Sequence, residues 1–583
     1  MCLRYAAPMR NAPAPLLAAL LLAGACSDPL LPPGDLPDAG PRPDLSGPDP
    51  SAPLFAPDHI VEVDIRISPA DWDTLRMQTR TITDILTNCF KGPFPDPFTY
   101  FPGTVTVDGQ TLQNVGVRKK GFLGSLDSDR PSIKLKFDEY VNGQKLAGLK
   151  NFTLNNSRQD PSFIHQCLAY QTFTAAGVPA SRCNFAHVKV NGSDLGLYVH
   201  VESGSKEFLA RHYIDPEGNL YEGTLSDFRD GWTTTFELKT NEAKNDRTDL
   251  APVVTALEEA SDDDLLAKLD PVVDVDRFLT FWAVESLVAH WDGYTGDANN
   301  FFAYHNPTTG RFEFLPWGPD ATFTHRAPVI PNGPQSVLAV SLLARRLYLN
   351  GPTRDRYIVR LREVLAHAWN EAALGAEIDR MEKLIRSIAD PQGNRGVAGQ
   401  IEAVRDFVSR RRGEIESEIS NGPPGWSAAL REAPCLQIIG DVAGSMQTTW
   451  GTVGMPNPLG IGSGTLSGTI NGAALDVMKA GAVAGVDPKA MQPAQAQVAV
   501  VGAMRDGSAT VVAFAMPPAR VQPNATVQID LQNVGAGVYR VNMQTGKVDP
   551  IGGLLEGALH FGQAGTTQGA TVTATFTGKV VKQ

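Results

Sequence analysis

A chain of 583 residues is far longer than one hydrophobic core serves, so two or three domains are expected. Its 42% hydrophobic and 20% charged residues are ordinary for globular proteins. A formal net charge of -12 excludes a general electrostatic attraction to nucleic acid or anionic lipid, and no nucleic-acid partner is expected.

Arg4 and Arg10 precede an apolar run from Leu16 to Leu22 that ends in Ala23, Gly24 and Ala25 before Cys26. That order reads as an export signal over residues 1–26, too short to persist as a membrane span. The segment LLAGAC resembles a bacterial lipobox, which implies acylation of Cys26 at a new amino terminus and a lipid anchor to the membrane. It departs from that pattern in carrying Ala23, not a branched residue, three places before the cysteine; Ser27 suits outer-membrane sorting. Residues 27–57 are dominated by proline, aspartate and glycine and read as an extended tether.

Beyond Cys2 and Cys26 stand Cys89, Cys167, Cys183 and Cys435. An exported location permits disulfides. Cys167 falls in an expected helix and Cys183 in the strand after it, so one pairing joins these two and leaves Cys89 with Cys435; sequence alone does not choose among the pairings. No cysteine or histidine spacing reads as a zinc site.

The folded part opens near His59. VEVDIRIS alternates by twos as a half-buried strand, and a helix is expected from Pro69 through Met77. TVTVDG, NVGVRKKG and SIKLKFDEY alternate likewise between glycine or aspartate turns and predict a small antiparallel sheet. In SIKLKF, Ile133, Leu135 and Phe137 share one face, leaving Ser132, Lys134 and Lys136 on the other. Two cations on one strand face suit a phosphate grip, although such lysines are ordinarily just solvated. Next, DPSFIHQCLAYQTFTAAGVPA predicts a helix capped by Asp160, with Pro161 in its first position and a stop at Gly177. NFAHVKVNGSDLGLYVHVES predicts a hairpin turning at Asn191 and Gly192 and ending in Glu202.

Residues 276–290 place Phe278, Phe281, Ala283, Val284, Leu287 and Val288 at helical spacing behind an acidic start. A loop follows with Asp292, Asp297, Asn299 and Asn300 beside glycines. The strands NFFAYHN and RFEFLPW then form a hairpin that delivers Asp320. Oxygen ligands from Asp and Asn are what magnesium or calcium prefers, and that chemistry suits phosphate. Trp291, Phe301, Phe302, Tyr304 and Trp317 read as core aromatics and His290 as a packed histidine. From about 341 to 420 apolar residues recur at steps of three and four, predicting helices; Arg410 to Arg412 reads as a solvated face. Beyond Asn421 to Pro424 the charges thin out, and short alternating runs predict a β-sandwich or similar module over 434–583, suited to binding or presenting.

The blocks LKNFTLNNSRQDPSF, AAGVPASRCNFAHVKVNGSDLGLYVHVE, GNLYEG and HWDGYTGDANNFFAYHNPTTGRFEFLPWGPDATF, in that order, resemble the CotH (spore coat protein H) type of atypical protein kinase. The resemblance implies an α+β, protein-kinase-like two-lobed fold over 58–422, ahead of the β-rich, sandwich-like domain. It implies ATP and magnesium held between the lobes. It carries Asp292 onto the catalytic aspartate that orients the substrate hydroxyl and accepts its proton, and Asn300 and Asp320 onto metal ligands. Lys120, Lys134 and Lys136 fall in the nucleotide-binding sheet, and Glu202 where the lobes join. One departure stands out: the WDxD motif is WGPD here, so Gly318 replaces an aspartate. Losing a carboxylate weakens the hold on magnesium, leaving water or Asp297 to complete the shell, or calcium in a structural site. Two functions follow. One is an exported kinase phosphorylating hydroxyls of envelope or spore-surface proteins from the outer membrane or cell surface; the other is a catalytically inactive surface scaffold or adhesion protein.

Overall fold

The structure, a computed structural model, describes residues 43, 47–80, 82–122, 124–324, 333–393, 396–433, 435–486, 495–529 and 534–582. Cys26, the signal segment and most of the tether lie outside the described residues.

Alternating valines and isoleucines build the first layer. Strands β1 (Ile60–Ile67), β2 (Phe101–Val107), β3 (Gln110–Lys120), β4 (Ser132–Lys136) and β5 (Asn151–Asn155) are joined by β6 (Cys183–Val190) and β7 (Ser193–Val201) in a closed barrel, order β1-β2-β3-β4-β5-β7-β6. The small antiparallel sheet expected from sequence is therefore enlarged. The β6–β7 hairpin returns beside β1 and pairs with it in parallel, Ile60 opposite Phe185, which removes both sheet edges. Val61, Val63, Ile65, Val117, Ile133, Leu135 and Phe152 fill the interior, and burying each such side chain contributes about 1.5–3 kcal/mol. The intervening polar residues of β3, β4 and β5 stand on the outer wall.

Helix α1 (Pro69–Met77) begins where expected, the Ser68 hydroxyl accepting from the Asp71 N–H; α2 (Ile82–Asn88) follows. Helix α3 (His165–Ala175) starts later than the sequence suggests. Asp160 does not cap it in the usual position: its carboxylate accepts from the N–H groups of Ser162 and His165, each at 2.9 Å, so 160–164 form a turn that contains Pro161.

After β7 come α4 (Lys206–His212), β8 (Leu220–Gly223), β9 (Glu237–Leu238), α5 (Ala251–Glu259), α6 (Leu265–Leu269), α7 (Val275–Leu287), α8 (Tyr294–Asp297), β10 (Phe301–Asn306) and β11 (Arg311–Pro316). The strands form a sheet of order β11-β10-β8-β9. Helix α7 is capped by Asp274 rather than by the predicted Asp276 start, and Phe278, Phe281, Trp282 and Val284 bury it in the main core. Four helices enclose that core: α9 (Leu342–Leu349), α10 (Gly351–His367), α11 (Glu371–Ala389) and α12 (Val397–Ile419). The basic run on α12 is not one solvated face. Arg410 and Arg412 pair with Asp406 and Glu371, but Arg411 is buried and donates to the Ser286 and Leu287 carbonyls that end α7.

The connector 420–436 stays on the helical body: Trp426 is buried, and Cys435 is bonded to Cys89 just after α2. The second disulfide joins Cys167 to Cys183. Residues 437–582 then supply β12 (Gln437–Thr449), β13 (Ser463–Ile470), β14 (Ala473–Ala474), β15 (Val477–Val486), β16 (Ala496–Met504), β17 (Ser508–Met516), β18 (Thr526–Gln528), β19 (Gly535–Asn542), β20 (Val548–Phe561) and β21 (Thr571–Lys582). The module is β-rich, as expected. Its strands form one sheet among the described residues, in the order β14-β13-β12-β21-β20-β19-β17-β16-β15 with β18 on β20, and Trp450 bridges Ala484.

Residues 49–55, expected as the end of the tether, pack on the barrel instead. Asp49 pairs with Arg182 at 2.5 Å, Leu54 joins the barrel core and Phe55 stacks on His200. No helix among the described residues is long and apolar enough to cross a membrane.

Candidate functional site

The outer wall of β3–β5 faces the β10–β11 hairpin and the loop after α7 across a polar cleft lined by Lys120, Lys134, Asp292, Asn300, Glu222 and Asp320, among others. The acidic side is built by the loop. Gly293 and Gly296 let it fold tightly: a β-carbon at 293 would lie 2.2 Å from the Glu285 carboxylate, and one at 296 would lie 2.2 Å from the Trp291 carbonyl. Glu285, wholly buried on α7, accepts from the Tyr294 and Thr295 N–H groups and fixes α8. The chain then turns through left-handed Ala298 and Asn300. Both asparagines reach back: Asn299 donates to one oxygen of Asp292 at 3.0 Å and Asn300 to the other at 2.8 Å.

Burial pushes the Asp292 carboxyl up to about 7, the charges of Asp297 and Asp320 adding to the effect while the Asn299 bond and His290 oppose it. Burial likewise raises Asp320, helped by Asp160. The Asp320 carboxylate forms no ion pair among the described residues, although Lys120 lies within electrostatic range. Its carbonyl accepts from His165 on α3. Gly318, at φ +53, lies opposite Asn300; a β-carbon here would stand 3.1 Å from Asn300 Oδ1.

The basic side is built by the barrel. The register sets Arg118 opposite Lys134 and Lys120 opposite Ser132, all on the outer wall. The Lys120 ammonium donates to Asn155 Oδ1 at 2.6 Å, and Asn155 donates in turn to Gln166 of α3 at 2.8 Å. Burial lowers Lys120 to about 8; for Lys134 burial, then the charges of Lys239 and Arg118, lower it to about 7. Neither lysine has a carboxylate in an ion pair among the described residues, and an incoming anion would favour their charged forms.

The structure brings Asp292, Asn300, Asp320, Lys120 and Lys134 to one cleft and leaves three sequence candidates outside its lining. Lys136 pairs with Glu139 at 2.8 Å. Glu202 is locked between Arg182 and Arg211 at the end of β7. Asp297 pairs with Arg431, 2.5 Å away. Sequence reading missed Glu222, which accepts from Trp317 Nε1 at 2.9 Å and pairs with Lys239 at 2.9 Å, and it missed Arg80 and Arg118, which share Asp96. Glu222 and Arg80 stand singly, with only the family block GNLYEG pointing near Glu222, whereas Arg118 lay in the strand NVGVRKKG without being singled out. No cluster of three or more His, Cys, Asp or Glu suited to a metal occurs among the described residues. A metal would rest on mixed carboxylate, amide and ligand oxygens.

Fold and site together define an α+β protein with a polar cleft in which Asp and Asn side chains face two buried lysines. A model of the family described as CotH kinase protein matches residues 117–415, and this chain belongs to that family. The inner spore coat protein H of Bacillus subtilis (strain 168) is 27% identical over 188 residues, which cover 30% of this chain and 51% of the relative. Invasin CotH3 of Rhizopus delemar is 25% identical over 242 residues, and Invasin CotH2 27% over 239, each covering 38% of this chain and 40% of the relative. The chain thus spans about half or less of the length of the curated relatives it matches. Among solved structures, a Helicobacter pylori proinflammatory kinase CtkA matches at 12% identity with a TM-score of 0.26, covering 51% of this chain and 91% of that one.

Proposed function

We propose that this chain is an exported, two-lobed CotH-type phosphotransferase that moves a phosphoryl group from ATP to hydroxyls of envelope or spore-surface proteins. The observation that carries the reading is one cleft in which Asp292 and Asp320 face Lys120 and Lys134, with neither Asp320 nor the two lysines in an ion pair among the described residues. The donor set fits a hard divalent ion and phosphate, because its oxygens come from Asp and Asn and no thiol or imidazole competes. Asn300 and Asp320 would hold magnesium, or calcium in its place, and Lys120 and Lys134 the nucleotide phosphates. The metal, when bound, supplies charge neutralisation. Asp292, held on both oxygens by neutral amides, orients the acceptor hydroxyl and takes its proton; a carboxyl poised at about 7 is matched to that task near neutral pH.

A surface location is supported by the relatives, an inner spore coat protein and invasins. Acylated Cys26 and the residues after it would tether residues 58–422 to the membrane, with 434–583 presenting or binding envelope partners. Labelled ATP with magnesium, incubated with the purified protein alone and with envelope extract, should label protein; no labelling, together with no binding of a nonhydrolysable ATP analogue, would overturn the reading. The second reading, an inactive scaffold or adhesion protein, is favoured by one observation: Gly318 stands where the family carries an aspartate.

A further inference from the structure

We infer that the connector after α12 belongs to the phosphotransfer apparatus, with Arg431 as a positioning residue for the loop that carries Asp292. This rests on the phosphotransferase reading. The family match ends at residue 415, so nothing in it assigns a role to the connector. Yet Arg431 Nε lies 2.5 Å from Asp297 Oδ1, inside the loop. The backbone makes a second link: the Arg431 N–H donates to the Val340 carbonyl at 2.9 Å, and the Val340 N–H donates to the Thr295 carbonyl at 3.0 Å. A third runs through Arg229, which donates to the Arg431 carbonyl and pairs at 3.3 Å with Asp227, the acceptor for the Tyr294 hydroxyl at 3.0 Å. Asp297, Thr295 and Tyr294 of α8 are therefore each held by the connector, directly, through Val340, and through Arg229 and Asp227.

That matters because α8 is a single turn, and a helix so short has no stability of its own. Its orientation decides where Asn299 and Asn300, two and three residues beyond Asp297, place the amides that hold Asp292. The connector is itself fixed. The Pro424 carbonyl accepts from the Tyr348 hydroxyl at 2.7 Å, and Cys435 is bonded to Cys89. A surface ion pair would contribute little. Here the partners are 27% and 11% exposed, and removing the guanidinium would leave Asp297 unpaired within electrostatic range of Asp292.

The test uses the full chain with Arg431→Ala, Arg431→Lys, Asp297→Asn and the double variant Arg431→Ala/Asp297→Asn. Hydrogen exchange over 293–300 should quicken in Arg431→Ala and in Asp297→Asn, with global unfolding little changed. Turnover of labelled ATP should fall about ten- to a hundredfold in kcat, the scale of a misplaced reacting group, while analogue binding without magnesium, which rests on the barrel lysines, stays within about twofold. Arg431→Lys should recover most of kcat, and the double variant should be no worse than either single one. Unchanged exchange over 293–300 would overturn the inference, as would single-variant losses that multiply or a loss of magnesium-free analogue binding in parallel with turnover. If wild type turns nothing over, the phosphotransferase reading fails, and quickened exchange would then show an ordering role only, which also overturns the catalytic one.

Discussion

Asn300 is joined to Asp292 by a 2.8 Å hydrogen bond from its side-chain amide, which leaves its own Oδ1 directed toward Gly318. One side chain thus holds the proposed base with its nitrogen and offers its oxygen to the cleft. The base and the metal ligand are mechanically linked, and substitutions at either should be read with that link in mind.

Asp292→Asn keeps the shape of the side chain and removes the proton acceptor. Nucleotide binding should stay close to wild type while transfer is abolished, because the acceptor hydroxyl loses its base and the phosphate donor loses nothing. Calorimetry with a nonhydrolysable ATP analogue and labelled-ATP turnover separate the halves. Wild-type turnover in this variant would remove Asp292 from the mechanism.

Asp320→Asn should do the reverse. It takes a charge from the metal shell, so magnesium-dependent analogue binding should weaken by about 1–3 kcal/mol, the cost of losing a charged contact. Binding without magnesium should change little. Equal weakening with and without the metal would make Asp320 a structural carboxylate.

Lys120 and Lys134, lowered to about 8 and about 7, make anion binding pH-dependent. Phosphate favours their charged forms, so binding near pH 8 should take up protons, and affinity should fall as pH rises from about 7 to 9. Unfolded lysines stay protonated to about 10.4, so the unfolded state binds more protons in this window and these two groups make the fold more stable as pH rises through it. Calorimetry in buffers of different ionisation enthalpy measures the uptake. Lys134→Met should remove part of it; no uptake in wild type would exclude both lysines as the phosphate grip.

Much of the barrel was legible because β1, β3 and β4 alternate cleanly, yet nothing in a period of two announces that Ile60 will pair in parallel with Phe185. The acidic side of the cleft was legible as a run of Asp, Asn and Gly between a helix and a hairpin. Its basic side was half legible, since Lys134 and Lys136 share a strand face and only the fold decides that one meets the cleft and the other Glu139. Arg411 was readable and misread: it lies in phase with Val404, Val408, Ile415 and Ile419, the buried stripe of α12, whereas its neighbours do not. Arg431 carried no signal, because its partner Asp297 lies far away in sequence.

Glu202 should prove structural. It is 4% exposed and paired with both Arg182 and Arg211, whose charges hold its carboxyl low although burial alone would raise it. Glu202→Gln leaves two guanidiniums without their anion, so stability should fall by about 3–5 kcal/mol in denaturant unfolding, with analogue affinity unchanged well below the transition. In wild type this contribution is present at neutral pH and lost as pH falls through the depressed carboxyl value. Loss of nucleotide affinity without loss of stability would return Glu202 to the binding site.

Gly318 offers the sharpest test of the metal assignment. Restoring the family's aspartate does not simply strengthen the site, because the backbone at 318 has φ +53 and a β-carbon would stand 3.1 Å from Asn300 Oδ1. A side chain in that left-handed region costs about 1 kcal/mol, and the asparagine must give way as well. Gly318→Ala should therefore lower the unfolding temperature, and without metal Gly318→Asp should lower it at least as much, since both share the backbone strain. Aspartate also adds a third carboxylate beside Asp292 and Asp320, whose mutual repulsion only a cation relieves. Magnesium should accordingly raise the unfolding temperature of Gly318→Asp clearly more than that of Gly318→Ala or wild type. If thermal unfolding with and without magnesium shifts all three proteins alike, the cleft holds no metal at Asn300 and Asp320, and the scaffold reading gains the ground the phosphotransferase loses.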